Sequence, residues 1–291
     1  MIRFLVNPAA GGGRVKRHLG GIRERAAEVG AEVSVSCSGA DLTAQARQAV
    51  DDGIERLVVA GGDGTMHLVV QALAETSCAL GVLPMGRGND YASSLGVPRG
   101  FSAALEFAVS HETRRIDLGR AGAEWFAFYA GAGFDSECSK TAEAHPRWWP
   151  NSVTYNIAVV RTLFAYRPPV ARIEYEGGSF EGEVMFATVC NGPQFGGGMQ
   201  IAPSADLTDG ILDLVIVRAV GKAELLRIFP SVYRGAHVDH PAVSIHRTPW
   251  ARLDFEPTML LGSDGELVGE VGAEGVEMTV APQALNVVSG C

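Results

Sequence analysis

"VVAGGDGTMH", residues 58–67, decides how this chain is read. An apolar run ends in two glycines, an aspartate, a third glycine and a threonine, and apolar residues then resume at helical spacing. Text of this kind describes a buried strand that turns tightly into a helix. At the C-terminal end of a parallel strand, such a turn aims backbone N–H groups and the positive end of a helix dipole at a ligand, which favours phosphate. Gly61, Gly62 and Gly64 allow positive φ and close approach. Asp63 adds a carboxylate where a phosphate-bound Mg²⁺ would want one, and Thr65 is expected to supply an N-cap hydroxyl. Taken alone, the stretch reads equally well as a plain strand–helix turn.

The flanking sequence repeats the same grammar. "IRFLVN" (2–7), "EVSVSCS" (32–38), "RLVVAG" (56–61) and "ALGVLPM" (79–85) read as short apolar strands. Helical text lies between and after them, at 14–29, from Asp41 as N-cap, from about Thr65 to Glu75, near 89–95 and at 101–110. Alternating strand and helix imply a parallel sheet covered on both faces. Two further glycine loops follow strands and precede helices: "NPAAGGGR" (7–14) and "PMGRGND" (84–90), the latter with Asn89 or Asp90 as cap. Three such loops at one edge of one sheet make a nucleotide site the better reading, because open α/β sheets bind ligands there.

Beyond about residue 115 the text becomes strand-rich. "RRIDLGRAGAEWFAFYAGAGF" and "ARIEYEGGSFEGEVMFATV" read as hairpins, and strands continue through "GVEMTVAP", with helical stretches around 152–165 and 221–234. An antiparallel sandwich or barrel with inserted helices is expected.

Composition narrows the field. The chain has 291 residues, 47% of them hydrophobic and 20% charged, with no apolar stretch of membrane-spanning length. A net charge of −9 disfavours broad nucleic-acid binding. Five scattered cysteines, with no CxxC pair, suit reduced packing residues in a cytosolic protein. The P-loop, GxSxG and HExxH patterns are absent. "GAGFDS" (131–136) imitates part of a dinucleotide fingerprint, but it lies in the strand-rich half and lacks the final glycine.

"NPAAGGGR", "GGDGT" and "PMGRGNDYASSLGVP", together with "GAGFDSE", "NGPQFGGGMQIAPSADLTDGILDL", "RGAHVDHPAV" and "SDGE", resemble in order the signature segments of the diacylglycerol-kinase-like lipid kinases, in their bacterial single-chain form. The likeness covers nearly the whole chain. GGDGT alone is shared with NAD kinases; the ordered set is specific. The resemblance implies an α/β domain of the NAD kinase/diacylglycerol kinase type over 1–118, rejoined by the last residues 283–291, and a mostly antiparallel β-sandwich over 119–282. It implies an ATP- and Mg²⁺-dependent kinase with ATP in the cleft between domains. Asn7, Pro8 and Gly11 would then lie beside the nucleotide, Gly61, Gly62, Asp63, Gly64 and Thr65 would wrap the phosphates, and Asn89 would belong to the third loop. Family members usually carry a small residue where Arg87 stands; an arginine there could reach a phosphate. Ser36 or Ser38 stands in for a threonine pair.

In the second half, "GSDGEL" offers Asp264 and Glu266 around what is, by itself, a common Asp-Gly hairpin turn. The resemblance makes Asp264 the candidate general base and Glu266 its partner, roles open to exchange. It likewise matches Asp206, Asp209 and the Ile211 carbonyl to a structural Mg²⁺ loop, and Asp117 to a network with Asp209 and Glu266. As plain sequence the 206–211 stretch is a loop running into a strand, with Asp213 expected to be exposed. The expected acceptor is a hydroxyl of diacylglycerol or a related lipid alcohol at a membrane surface, reached by peripheral contact; Arg147, Trp148 and Trp149, followed by an apolar helix with Arg161 and Arg167, suit such docking or, equally, packing on the sandwich. A soluble-substrate kinase of the NAD kinase type and a non-catalytic nucleotide-binding regulator stand as alternatives, and a homodimer stays open.

Overall fold

Short strands that are apolar throughout need cover on both faces, and the first third of the chain builds that arrangement. The computed structural model describes residues 1–143 and 161–290; Arg147, Trp148 and Trp149 lie outside the described residues. In chain order the elements are β1 (Ile2–Val6), a single turn α1 (Ala10–Gly13), α2 (Leu19–Glu28), β2 (Glu32–Val35), α3 (Gly39–Asp51), β3 (Arg56–Gly61), α4 (Asp63–Leu73), β4 (Ala79–Pro84), α5 (Asp90–Ser94), α6 (Phe101–Ser110) and β5 (Thr113–Ala121). There follow β6 (Glu124–Phe126), β7 (Tyr129–Gly133), α7 (Phe134–Glu143), β8 (Val170–Tyr175), β9 (Gly178–Cys190), β10 (Leu212–Arg218), β11 (Val243–Thr248), β12 (Trp250–Glu256), β13 (Met259–Ser263), β14 (Glu266–Val271) and β15 (Val276–Val288). Two compact units result: Met1–Leu118 with Pro282–Cys291, and Gly119–Ala281.

The first unit is a parallel sheet in the order β2-β1-β3-β4, joined beside β4 by Asn286 and Val287 of β15. Phe4, Val6, Val58, Ala60 and Leu83 pack in one cluster with Ile22 and Ala26 of α2 and with Ala104, Leu105 and Ala108 of α6. Pleat alternation turns Leu5, Leu57 and Val59 the other way, and they too are buried.

Two helix starts differ from the sequence reading. Helix α3 begins at Gly39 with Ser38 as N-cap, not at Asp41. The Ser38 Oγ accepts the Asp41 N–H at 3.1 Å while the Asp41 carboxylate accepts the Cys37 N–H at 2.8 Å, so Asp41 works from inside the first turn. Helix α4 begins at Asp63 with Gly62 as N-cap, which places Thr65 in the first turn and not at the cap.

The second unit is a β-sandwich. One ladder runs β14-β13-β7-β9, with β10 and β11 continuing antiparallel from β9. The other runs β9-β8-β12-β15. The 13-residue β9 serves both: residues 178–183 pair with β8 and residues 184–190 with β7 and β10. Inward residues of both ladders, among them Ile173, Val184, Leu214, Leu253, Phe255 and Met278, form one core with Phe126 of β6. Each large side chain buried there contributes about 1.5–3 kcal/mol.

Candidate active site

In the first unit, the loops after β1, β3 and β4 are knitted together by backbone and short side chains. Asn7 Nδ2 donates to Thr65 Oγ1 at 2.9 Å, and Asn7 Oδ1 accepts the Ala9 N–H at 3.0 Å. The Thr65 hydroxyl therefore ties the turn after β3 to the loop after β1 instead of capping α4. Arg14 links loops as well, donating through Nε to Gly11 O at 3.1 Å and through Nη2 to Gly86 O at 2.9 Å. Gly11 takes φ +59°, and a Cβ there would stand 2.1 Å from the Met85 carbonyl oxygen. Gly62 and Gly86 touch backbone to backbone: a Cβ on Gly86 would lie 2.7 Å from the Gly62 Cα. At Gly11, Gly62 and Gly86 a side chain is excluded because backbone fills the space.

Asp63 has an observed task of its own. Its Oδ2 accepts the Asn89 N–H at 2.7 Å and its Oδ1 the Tyr91 N–H at 3.2 Å, so it caps the start of α5 from another element. Asn89, at the N-cap position with φ +57°, makes no side-chain cap; its Oδ1 accepts the Gly86 N–H at 2.8 Å and closes the loop. Burial pushes the Asp63 pKa up, against the N–H bonds from Tyr91, Asn89 and Asp90. The N-cap of α4 is a glycine and makes no side-chain cap, so the first-turn amides keep the orientation that suits an anion. Pro8 lies in the loop after β1, Gly64 in the first turn of α4, Ser38 caps α3, and Arg87 is exposed. Ser36 is buried and donates to Val6 O at 3.3 Å, which ties strands together. A recess of about 530 Å³ lined by Arg3, Glu32, Ser34 and Gln45 lies beside the first residues of β1 and β2, away from these loops.

Asp117 in β5 is buried, and its Oδ1 accepts the N–H of Gln283, a residue at φ +54°, at 2.7 Å. Arg115 Nη1 holds the Gln283 carbonyl at 2.8 Å. These bonds fix the bend through which β15 returns to the first unit.

In the second unit, Asp264 and Gly265 are the two loop residues of the β13–β14 hairpin, with Ser263 paired to Glu266. Their φ values of +48° and +90° suit the two-residue turn that matches strand twist. Asp264 is buried, and its carboxylate is gripped by three consecutive amides: Ala127 N at 2.7 Å on Oδ2, Phe128 N at 2.9 Å and Tyr129 N at 3.1 Å on Oδ1. The other side of that segment is held by Asn191, whose Nδ2 donates to Ala127 O at 2.8 Å and whose N–H donates to Phe128 O at 2.7 Å. Tyr129 completes the cradle, its hydroxyl accepting the Gly265 N–H at 3.1 Å. Asn191 and Tyr129 were not singled out from sequence; the only signal is Asn191 opening the quoted "NGPQF" segment. Glu266 is exposed on β14.

The 206–211 loop is turned inward on itself. Asp206 Oδ1 accepts the Thr208 N–H at 2.9 Å and hydroxyl at 2.7 Å. Asp209 Oδ1 accepts the Ile211 N–H at 3.0 Å while Oδ2 pairs with Arg247. Among the described residues no group of three or more His, Cys, Asp or Glu is arranged to hold a metal ion. Asp213, expected at the surface, is buried: it stands in β10 between Cys190 of β9 and Arg247 of β11, on a strand paired along both edges whose residues Leu212 to Val217 are all buried. Burial pushes its pKa up; Arg247 opposes the shift and Asp209 adds to it.

Residues 1–121 match the family described as diacylglycerol kinase catalytic domain, and residues 129–289 the family described as YegS C-terminal NAD kinase beta sandwich-like domain. The chain is 30% identical over 282 residues to a diacylglycerol kinase of Bacillus subtilis (strain 168), covering 95% of this chain and 93% of that one. It is 34% identical over 298 residues to a diacylglycerol kinase of Mycobacterium tuberculosis (strain H37Rv), covering 99% and 94%. A solved chain from Bacillus anthracis superposes with a TM-score of 0.84 at 21% identity, covering 99% of this chain and 95% of that one, which is a likeness of fold. With both units matched in order along almost its whole length, this chain belongs to the diacylglycerol kinase-like lipid kinase family.

Proposed function

We propose that this protein is a lipid kinase that uses Mg-ATP to phosphorylate a hydroxyl of diacylglycerol or a related lipid alcohol. The observation that carries the reading is the first-unit edge at which three glycine loops converge on the α4 N-terminus, in a chain of this family. Amides of Gly61 to Thr65 would hold the phosphates, with Asn7, Pro8, Gly11, Ser38 and Asn89 around the nucleotide and the exposed Arg87 contacting a phosphate oxygen.

Phosphoryl transfer asks the protein mainly for positioning and charge stabilisation. Asp264 is the proposed general base: it would take the proton from the acceptor hydroxyl as that oxygen bonds to the γ-phosphorus and the bond to ADP breaks. The three amides at 127–129 would keep its carboxylate in one orientation, and Glu266 would be its partner. Mg²⁺ travelling with the nucleotide would supply neutralisation of phosphate charge, with Asp63 nearest in role. The donors of the 206–211 loop, as they lie, do not fit a second Mg²⁺, because Asp206 is turned to Thr208 and Asp209 to Arg247. No step is drawn through that site. Peripheral membrane contact follows from a bilayer-resident acceptor.

The test is incubation with γ-labelled ATP and Mg²⁺ against a panel of diacylglycerol, sphingoid bases, polyprenol and phosphatidylglycerol, with NAD in parallel. Label in a lipid product supports the reading. Label in NAD alone, or in nothing, overturns it.

A further inference from the structure

Three of the large apolar side chains that stand exposed gather in one region of the second unit: Phe164 at 68%, Leu226 at 46% and Tyr233 at 46%. Phe164, in the helical residues 161–165, is joined to the helix Lys222–Ile228 by Lys222, which donates to the Phe164 carbonyl at 2.6 Å and stands 5.5 Å from the ring centroid. On that helix Leu225 is buried, so Leu226, one turn after Lys222, is directed outward. The helix runs directly into the 3₁₀ turn Phe229–Arg234, where the rings of Phe229 and Tyr233 meet edge-on with centroids 6.2 Å apart.

The rim of this patch is basic. Arg161, Arg167, Lys222, Arg227 and Arg234 are exposed around it, against Glu224, which faces His240 at 3.3 Å, and Asp239. The chain as a whole carries −9, so this cluster runs against the overall sign. Exposed apolar side chains need no explanation one at a time. Aromatic and aliphatic tips inside a ring of long cationic side chains form the composition that enters a headgroup layer, with the apolar tips in the acyl boundary and the cations reaching lipid phosphates.

We propose that Phe164, Leu226 and Tyr233, with Lys222, Arg227 and Arg234, form a docking surface for an anionic lipid bilayer. The proposal rests on the lipid kinase reading, since a bilayer-resident acceptor gives the surface its purpose. Full-length protein is sedimented with vesicles of phosphatidylcholine and phosphatidylglycerol in equal parts, and with phosphatidylcholine alone. Binding to the mixed vesicles, with a loss of about tenfold or more in the double variant Phe164→Ser/Leu226→Glu, is expected. The double charge reversal Arg227→Glu/Arg234→Glu should cost at least about fivefold per residue on mixed vesicles only.

Wild-type partitioning in both variants overturns the proposal, as does failure of the wild type to bind mixed vesicles. A change in self-association, with vesicle binding untouched, also overturns it and points to a second copy as the occupant. If the apolar variant does not fold, the charge reversal decides alone. Phosphorylation of short-chain diacylglycerol in detergent is measured beside these assays. Variants that keep that activity while losing vesicle binding support the surface; a wild type that binds vesicles yet labels no lipid of the panel overturns the kinase reading and leaves the surface standing.

Discussion

The carboxylate of Asp63, at the start of α4, accepts the backbone N–H of Asn89 at 2.7 Å, so the GGDGT loop terminates its own neighbour, the loop after β4. With the second bond to the Tyr91 N–H, one side chain fixes both the α5 start and the spacing between two glycine loops. A Cβ on Gly88 would stand 2.8 Å from Asp63 Oδ2, which is a packing reason for that glycine.

Asp63→Ala is expected to act twice. Loss of the cap and of two amide partners should lower stability by about 1–3 kcal/mol, and use of Mg-ATP should weaken. Because burial raises the Asp63 pKa above its ordinary 3.8, its contribution is complete below that value and is lost as pH rises through the folded-state value. Asp63→Asn cannot ionise and should flatten this part of the pH–stability profile. Urea unfolding across acid to neutral pH, beside a Mg-ATP titration of activity, checks both effects; a wild-type slope in Asp63→Asn would remove the titration from the account.

Adjacent glycines of the first loop should respond differently. Gly11 and Gly12 have φ of +59° and +69°, so either alanine is strained by its backbone. Only at Gly11 would the methyl meet the Met85 carbonyl, at 2.1 Å, whereas nothing lies within 4 Å at Gly12. Gly12→Ala should cost about 1 kcal/mol, and Gly11→Ala clearly more, about 2–4 kcal/mol, with a rise in the KM for ATP. Equal unfolding midpoints would show that the loop gives way at Met85.

What was legible in the sequence is what local pattern controls. Apolar runs such as "RLVVAG" end at glycine loops, and the strand Arg56–Gly61 follows from that text alone. The Asp264–Gly265 hairpin was equally plain. The reach of side chains was not. Asp63 caps a helix 26 residues further on, and Asp264 binds amides 135 to 137 residues earlier, separations that no local propensity encodes. Asp213, a carboxylate where a loop runs into a strand, reads from sequence as exposed, and its burial depends on β9 and β11 lying on either side. Thr65 has the composition of a cap, but Gly62 already occupies that position, which left its hydroxyl to Asn7.

Arg247 competes with any cation at the 206–211 loop, because its guanidinium pairs with Asp209 Oδ2. If Mg²⁺ takes Asp206, Asp209 and the Ile211 carbonyl as ligands, Arg247→Ala should strengthen Mg²⁺ retention and Asp209→Ala should abolish it. The same Arg247 change removes a charge that holds down the raised pKa of buried Asp213. The fall in stability as pH rises above the ordinary carboxylate range should therefore become steeper. Metal analysis of purified protein and thermal unfolding with and without Mg²⁺ read the two effects separately. Unchanged metal content in Asp209→Ala would agree with the loop as it lies, in which Asp206 is turned to Thr208 and Asp209 to Arg247.

Asp264→Asn separates positioning from proton transfer. Asparagine tolerates the left-handed backbone at φ +48°, so the hairpin turn should persist. Its single carbonyl oxygen can still accept from Phe128 and Tyr129, but its NH₂ group would face the Ala127 N–H, donor against donor. A stability loss of about 1–3 kcal/mol is expected from that mismatch alone. If Asp264 also takes the acceptor's proton, turnover should fall by at least about 10²-fold while nucleotide binding in the first unit persists. A stability loss without a matching loss of turnover would leave Asp264 as a structural clamp and pass the general-base role to Glu266, for which Glu266→Gln in the same assay is the direct comparison.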